Sequence, residues 1–284
     1  MTPTVQAAEL PIDVERMVTF LIELLNQPSP TGFTEDAIAL VDAAFFPLQL
    51  TARITPKGVY VGTLAGQADD AARGVTAHVD TLGAMVSEIK PNGRLRLTQL
   101  GGWVWNSVEG EGVTIFATNG TQYRGTILPV MASIHAHTRE EGYATRSSEN
   151  MEVRIDAETQ SADETASLGI TVGDVIAFDP RVERSPTGFL RSRHLDDKAS
   201  VAAIYGALWA LADAGLTPRQ TTTIHISNYE EVGHGAATGF PADLQELISV
   251  DMAVVASGQM SDEHKVTICA KDSAGPYHYG LRRR

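Results

Sequence analysis

Four short polar islands hold the residues able to do chemistry in this chain. They are Ala77-His78-Val79-Asp80, His194-Leu195-Asp196-Asp197-Lys198, Tyr229-Glu230-Glu231-Val232-Gly233 and Val250-Asp251-Met252. Each adjoins an apolar, strand-like run. Together they offer imidazole nitrogen and carboxylate oxygen without thiolate, the donors that hard or borderline divalent cations take. His78 and Asp80 are two residues apart, so in extended chain both side chains leave on one side. The imidazole could then bind a metal while the carboxylate holds the ring from behind. Asp196-Asp197 opens a helix, where an acidic pair is also an ordinary cap. The alanine-rich run behind it is apolar nearly all round, so one of the two carboxylates must lie in or near the core. Glu230 and Glu231 point to opposite sides of an extended chain. One can bind metal while the other stands over a water as general base; a solvated acidic turn is the plainer alternative. Asp251 sits between Leu247-Ile248-Ser249-Val250 and Ala253-Val254-Val255, where a charge is costly unless paired or metal-bound. Singly, each island has a mundane explanation. In order, each at a strand end of one sheet, they describe a single site, because ligands in α/β folds gather at the carboxyl ends of strands.

The elements that must position these islands are legible from periodicity. Val14, Met17, Val18, Leu21, Ile22 and Leu25 give residues 12–26 a helical apolar face, ended by Pro28 and Pro30. Thr34 is placed to cap a second helix running to about Phe46, with Glu35 and Asp36 in its first turn. Residues 50–54, 58–64 and 74–78 read as strands. Later come a long buried helix over 198–214, a strand over 221–227 and a short helix over 243–248. Strands over 250–256 and 265–270 follow, with the start of another helix from Pro276. Helices alternating with strands predict an α/β layered core. Between about Ile89 and Val182 the texture changes to glycine and short alternating runs. Pro91-Asn92-Gly93 and Asn119-Gly120 each separate two such runs, the signature of hairpins. One helix is expected there, over 162–168, stopped by Gly169. The organisation that follows is a mixed-sheet α/β/α core in two parts, 1–88 and 185–284, with a small β-barrel-like domain of 89–184 inserted between them.

Composition narrows the function classes. The 284 residues are 43% hydrophobic and 20% charged, as in a globular protein. The net charge of −13 argues against a nucleic-acid surface, which needs a basic face, and against an anionic-membrane anchor. It favours attraction of cationic peptides or metal ions. The single cysteine, Cys269, lies in an apolar run and is expected to be a small buried hydrophobe. Residues 1–10 lack the basic start and apolar stretch of a signal peptide, and no run approaches the ~20 apolar residues that span a bilayer. A cytoplasmic protein is expected.

The order His-x-Asp, Leu-Asp-Asp-Lys, Glu-Glu-Val-Gly and Val-Asp-Met resembles the di-metal aminopeptidases of peptidase family forty-two. These include tetrahedral, glutamyl and deblocking aminopeptidases. Leu100-Gly101-Gly102-Trp103, Leu168-Gly169-Ile170-Thr171-Val172-Gly173-Asp174 and Lys271-Asp272-Ser273-Ala274-Gly275-Pro276-Tyr277 are similar too, so the resemblance covers nearly the whole chain. It implies a zinc-peptidase-like core and two divalent ions, zinc or cobalt. His78, Asp196 and Asp251 would hold one ion; Asp196, as the bridge, and Glu231 would help hold the other. Glu230 would be the general base, Asp80 would orient His78, and a cis peptide would join Asp196 to Asp197. The implied reaction is removal of N-terminal residues from peptides through a metal-activated water, in a homo-oligomer whose β insert makes contacts. The family has a further histidine ligand well downstream of the segment matching 271–277. The sequence to Arg284 does not include it, so the second ion is expected to be one ligand short. Two alternatives stay open: a related di-metal amidase or deacylase of small N-acylated molecules, and a catalytically incomplete scaffold subunit.

Overall fold

A computed structural model describes residues 10–284; most of the stretch read for a signal peptide therefore lies outside the described residues. In chain order the elements are α1 (Val14–Asn26), α2 (Glu35–Phe45), β1 (Thr51–Ile54), β2 (Tyr60–Leu64), β3 (Ala68–His78), β4 (Gly83–Ile89), β5 (Leu95–Leu100), β6 (Gly112–Phe116), β7 (Gln122–Pro129), α3 (Arg139–Gly142), β8 (Met151–Ile155), α4 (Ala162–Ser167), β9 (Val175–Phe178), β10 (Glu183–Arg184), β11 (Leu190–Arg191), α5 (Leu195–Asp213), β12 (Gln220–Ser227) and β13 (Glu246–Ser249). The chain divides into two compact units after Val250.

The first unit contains a mixed five-stranded sheet, ordered β1-β2-β12-β3-β13, and a closed barrel, ordered β4-β5-β8-β7-β6-β9. In the sheet, β12 and β13 flank β3 in parallel, which brings the carboxyl ends of all three to one edge. Asp13 caps α1 by accepting the Arg16 amide at 3.0 Å. Leu24 and Leu25 of α1, Ile38 and Val41 of α2, and Val201 and Leu208 of α5 then join Ile224 and Ile226 of β12 in one buried cluster. Removing this apolar surface from water holds the three helices to the sheet, at roughly 25 cal/mol per Å². The barrel has its own core, including Val86, Leu97, Ile115, Ile127, Val153 and Ile176. Both expected hairpins form, β4 with β5 around Gly93 and β6 with β7 around Gly120. Each glycine has positive φ, 80° and 85°.

Several local expectations are corrected. Residues 243–248, expected as a short helix, instead feed β13, whose Leu247 and Ile248 register with Gly74 and Val75 of β3. A Cβ on Gly74 would fall 2.9 Å from Leu247, so the glycine makes room for that parallel pairing. Parallel strand pairing has overridden a short helical pattern. In the segment expected to hold only the helix now seen as α4, a second short helix, α3, is nucleated by a capping box between Thr138 and Glu141.

The second unit, Asp251–Arg284, does not form the strands expected over 250–256 and 265–270. An alternating run becomes a strand only where another edge takes its N–H and C=O groups. Among the described residues this unit instead has a bridge between Lys271 and Pro276, a turn on the Asp272 carboxylate, and a 3₁₀ turn over Leu281–Arg283 in place of the helix expected from Pro276. Cys269 is accordingly exposed rather than buried.

Candidate metal centre

The site is built on the last residue of β3. His78 is 2% exposed, and its Nδ1 lies 2.9 Å from the backbone oxygen of Asp80 and 3.3 Å from Oδ1. A carbonyl oxygen can only accept, so Nδ1 carries the proton and Nε2 is the nitrogen left for other work. The Asp80 carbonyl thus makes the shorter contact, where the sequence pattern suggested the carboxylate. That carboxylate, fully buried, has a different set of partners. Its Oδ2 accepts from Thr31 Oγ1 at 2.8 Å and from the Glu231 amide at 3.2 Å; its Oδ1 accepts from the Glu230 amide at 3.1 Å. Burial opposes its charge, but the contacts with His78, Thr31 and Glu230 prevail and hold it below the usual carboxylate range.

Nε2 of His78 faces carboxylates. Asp196 Oδ1 is 3.4 Å away and Glu230 Oε2 3.6 Å away, with side chains 44% and 47% exposed, so the cluster opens to solvent on that side. Neither contact is a hydrogen bond, and among the described residues this buried nitrogen has no hydrogen-bond partner. Leaving such a group unsatisfied costs about 1–3 kcal/mol. Negative charge is also in surplus. Burial and then the charge of Asp196 push Glu231 up to about 7, against the opposing pull of His78. Burial resists a charge on His78, but Asp196, Asp80 and Asp197 overcome it and push the imidazole up to about 11. An orphaned nitrogen among crowded oxygens fits a divalent cation with nitrogen and oxygen ligands.

Asp196 opens a helix as expected, but not at a strand end of the shared sheet. The helix is α5, and it follows β11, which pairs only with β10 in a separate ribbon. Asp196 and Asp197 depart from helical geometry and are joined by a cis peptide. The pair divides as the apolar helix required, with Asp197 buried and its Oδ2 accepting the His78 amide at 3.1 Å. Asp251 begins the second unit. It directly follows Val250, whose amide donates to Thr76 of β3 at 2.8 Å, and its own carboxylate accepts the Met252 amide at 2.6 Å.

Two supporting residues escaped the sequence reading. Lys198 is fully buried, and its Nζ donates to the carbonyls of Leu24 at 2.9 Å and Gln27 at 2.6 Å, the open end of α1. Burial pushes its ammonium down to about 7. The signal was a lysine opening an otherwise apolar helix. Thr31 is the other, and a threonine in a Pro-Thr-Gly turn carries no comparable signal. The remaining buried histidines are structural. His225 bridges Thr76 Oγ1 and the Thr238 carbonyl, both at 2.9 Å, and His194 packs at the start of α5.

Comparison with known proteins bears on the family and the fold. The family model described as M42 glutamyl aminopeptidase matches residues 58–284. YhfE of Bacillus subtilis (strain 168), which carries a provisional aminopeptidase name, is 42% identical over 95% of this chain and 78% of its own length. The glutamyl aminopeptidase of Lactococcus lactis is 32% identical over 62% of this chain, which spans only 48% of that protein. Among solved structures, the TET1 peptidase of Pyrococcus horikoshii, which can assemble into a tetrahedron or a large octahedral shell, superposes with a TM-score of 0.78. The identity is 20%, over 94% of this chain and 79% of that one. An aminopeptidase of Desulfurococcus kamchatkensis gives 0.75 at 22% identity, over 88% and 66%. At that identity the superpositions speak for the fold, whereas the family match rests on sequence over most of the length. The chain belongs to the M42 glutamyl aminopeptidase family.

Proposed function

We propose that this protein is a metallo-aminopeptidase that removes N-terminal residues from peptides with two divalent ions, zinc or cobalt. The observation that carries the reading is the buried His78 Nε2, without a hydrogen-bond partner and facing Asp196 and Glu230. In this reading His78, Asp196 and Asp251 hold one ion, and Asp196 and Glu231 help hold the second. Bound there, such ions supply Lewis-acid polarisation of the scissile carbonyl and acidify water. Asp80 fixes the tautomer and tilt of His78 through its carbonyl and carboxylate, and its carboxylate also anchors the Glu230-Glu231 turn. Glu230, half exposed at the solvent side of the cluster, takes the proton of the attacking water and returns it to the leaving amine. Aminoacyl-anilides assayed beside N-acetyl amino acids separate an aminopeptidase from an enzyme of N-acylated substrates.

Among the described residues no helix is long and apolar enough to cross a membrane; we place the protein in the cytoplasm, assembled as a homo-oligomer in the manner of the TET1 peptidase. The test is Glu230→Gln, assayed on aminoacyl-anilides beside metal analysis. Turnover should fall by about 100-fold or more, the range for loss of a general base, while bound metal stays at the wild-type level. Undiminished turnover would remove Glu230 from the mechanism.

A further inference from the structure

Tyr229 stands one residue before Glu230 with φ 62° and ψ 20°, in the left-handed region that bulky side chains avoid. Such a conformation persists only where its surroundings enforce it. The side-chain contacts that can enforce it are made by the ring. The ring stacks on the His234 imidazole, with centroids 5.1 Å apart and planes 20° apart. Lys57 Nζ lies 5.5 Å from the ring centroid and donates to the carbonyls of His234 and Gly235. The backbone closes behind it: the His234 amide donates to the Tyr229 carbonyl at 3.1 Å, and the Gly233 amide to that of Glu230 at 2.7 Å.

The consequence falls on the other side of the turn. Had β12 continued straight, successive amides would have pointed in opposite directions and Asp80 could have received only one of them. The left-handed residue followed by a 3₁₀ turn makes the amides of Glu230 and Glu231 converge on one carboxylate, at 3.1 and 3.2 Å. Converging amides of this kind form a concavity suited to an anion. Where both glutamate side chains start is therefore fixed by how Tyr229 is held.

We propose that Tyr229 is a positioning residue. Its ring, clamped by His234 and Lys57, holds the left-handed turn that docks the Glu230 and Glu231 amides on Asp80 and so aims the Glu230 carboxylate. This rests on the role of Glu230 given under Proposed function. Tyr229→Phe keeps the ring, Tyr229→Ala removes it while keeping a Cβ at positive φ, and Tyr229→Gly removes it but tolerates the dihedral. Each full-length variant is measured in two ways: kcat and KM on aminoacyl-anilides, and amide hydrogen exchange over 229–234. Tyr229→Ala should lose about 10- to 100-fold in kcat, the scale of a small misplacement of a reacting group, with KM within about threefold. The Glu230 and Glu231 amides should exchange at least about tenfold faster, while β12 and the barrel stay protected. Tyr229→Gly should show the faster exchange with a smaller loss of kcat, and Tyr229→Phe should recover most of both. Wild-type kcat and wild-type exchange in Tyr229→Ala would overturn the proposal. Should that variant not fold, His234→Ala tests the same clamp from its partner: faster exchange over 229–234 supports it, and wild-type exchange overturns it. If Glu230→Gln keeps full turnover, the reading of Glu230 is wrong, and the exchange results still decide whether Tyr229 holds the turn.

Discussion

In the barrel, Glu152 lies 1% exposed between Lys90 and Arg94, with its carboxylate oxygens bonded to the two cations. Asp174, also buried, accepts from Thr118 Oγ1 at 2.7 Å and from the Thr171 amide at 2.8 Å. At the carboxyl edge of the sheet, Asp80 and Asp197 are buried as well, with Asp196, Glu230 and Glu231 beside them. Lysines there bind carbonyls: Lys198 those of Leu24 and Gln27, and Lys57 those of His234 and Gly235. Glu231 is pushed up to about 7 and a histidine nitrogen is left without a hydrogen bond. Both regions belong to the same acidic chain, so overall charge does not explain the contrast. The barrel balances the buried charge of Glu152 with cations from its own side chains. The other region leaves acidic groups in excess, which the proposed metal ions would balance.

The contrast can be broken from the sheet side first. His78→Ala and Asp196→Asn should each reduce retained metal to near zero and peptidase turnover by about 100-fold or more, as read by elemental analysis and an anilide assay. Retention of metal in both would mean that the surplus serves some other cation. Next comes the barrel. Glu152→Gln takes from Lys90 and Arg94 their shared negative charge and one of its two acceptor oxygens, and should destabilise the fold by about 1–3 kcal/mol in denaturant unfolding, with metal content unchanged.

The corresponding change at the sheet edge has the opposite sign. In chelator-treated protein, Glu231→Gln removes one of several crowded charges and should raise the unfolding midpoint at neutral pH. The sign follows from linkage. With its pKa raised from 4.5 to about 7, folded Glu231 holds a proton that the unfolded chain has released. Metal-free stability therefore falls as pH rises from 4.5 to 7, and the glutamine variant should lose that slope. The smallest effect concerns His225, whose pKa burial lowers below 6.5. The unfolded state takes up the proton first, so stability is lost as pH falls below 6.5; His225→Asn should flatten that limb of a thermal-unfolding pH series.

The two regions were also unequally legible. The barrel hairpins announce themselves locally, because Asn-Gly between alternating runs demands the positive φ that Gly93 and Gly120 adopt. The residue types of the candidate site and their order were visible too, since His78-x-Asp80 and Asp196-Asp197 sit beside apolar runs that cannot tolerate unexplained charge. What was hidden depends on distant pairing. No local pattern says that Thr31 donates to Asp80, or that residues 246–249 take the open edge of β3 as a strand. The turn at Tyr229 was equally hidden, because an aromatic residue at positive φ is dictated by His234 and Lys57 and not by its own propensity. Residues 250–256 and 265–270 show the converse: their alternation is strand-like, but they make no ladder among the described residues.

The most direct test of the account is divalent metal per chain on the purified protein, measured with peptidase activity before and after chelation. About two equivalents of zinc or cobalt, with turnover lost on removal and regained on re-addition, is the predicted result. Undiminished peptide hydrolysis by metal-free chain would contradict it.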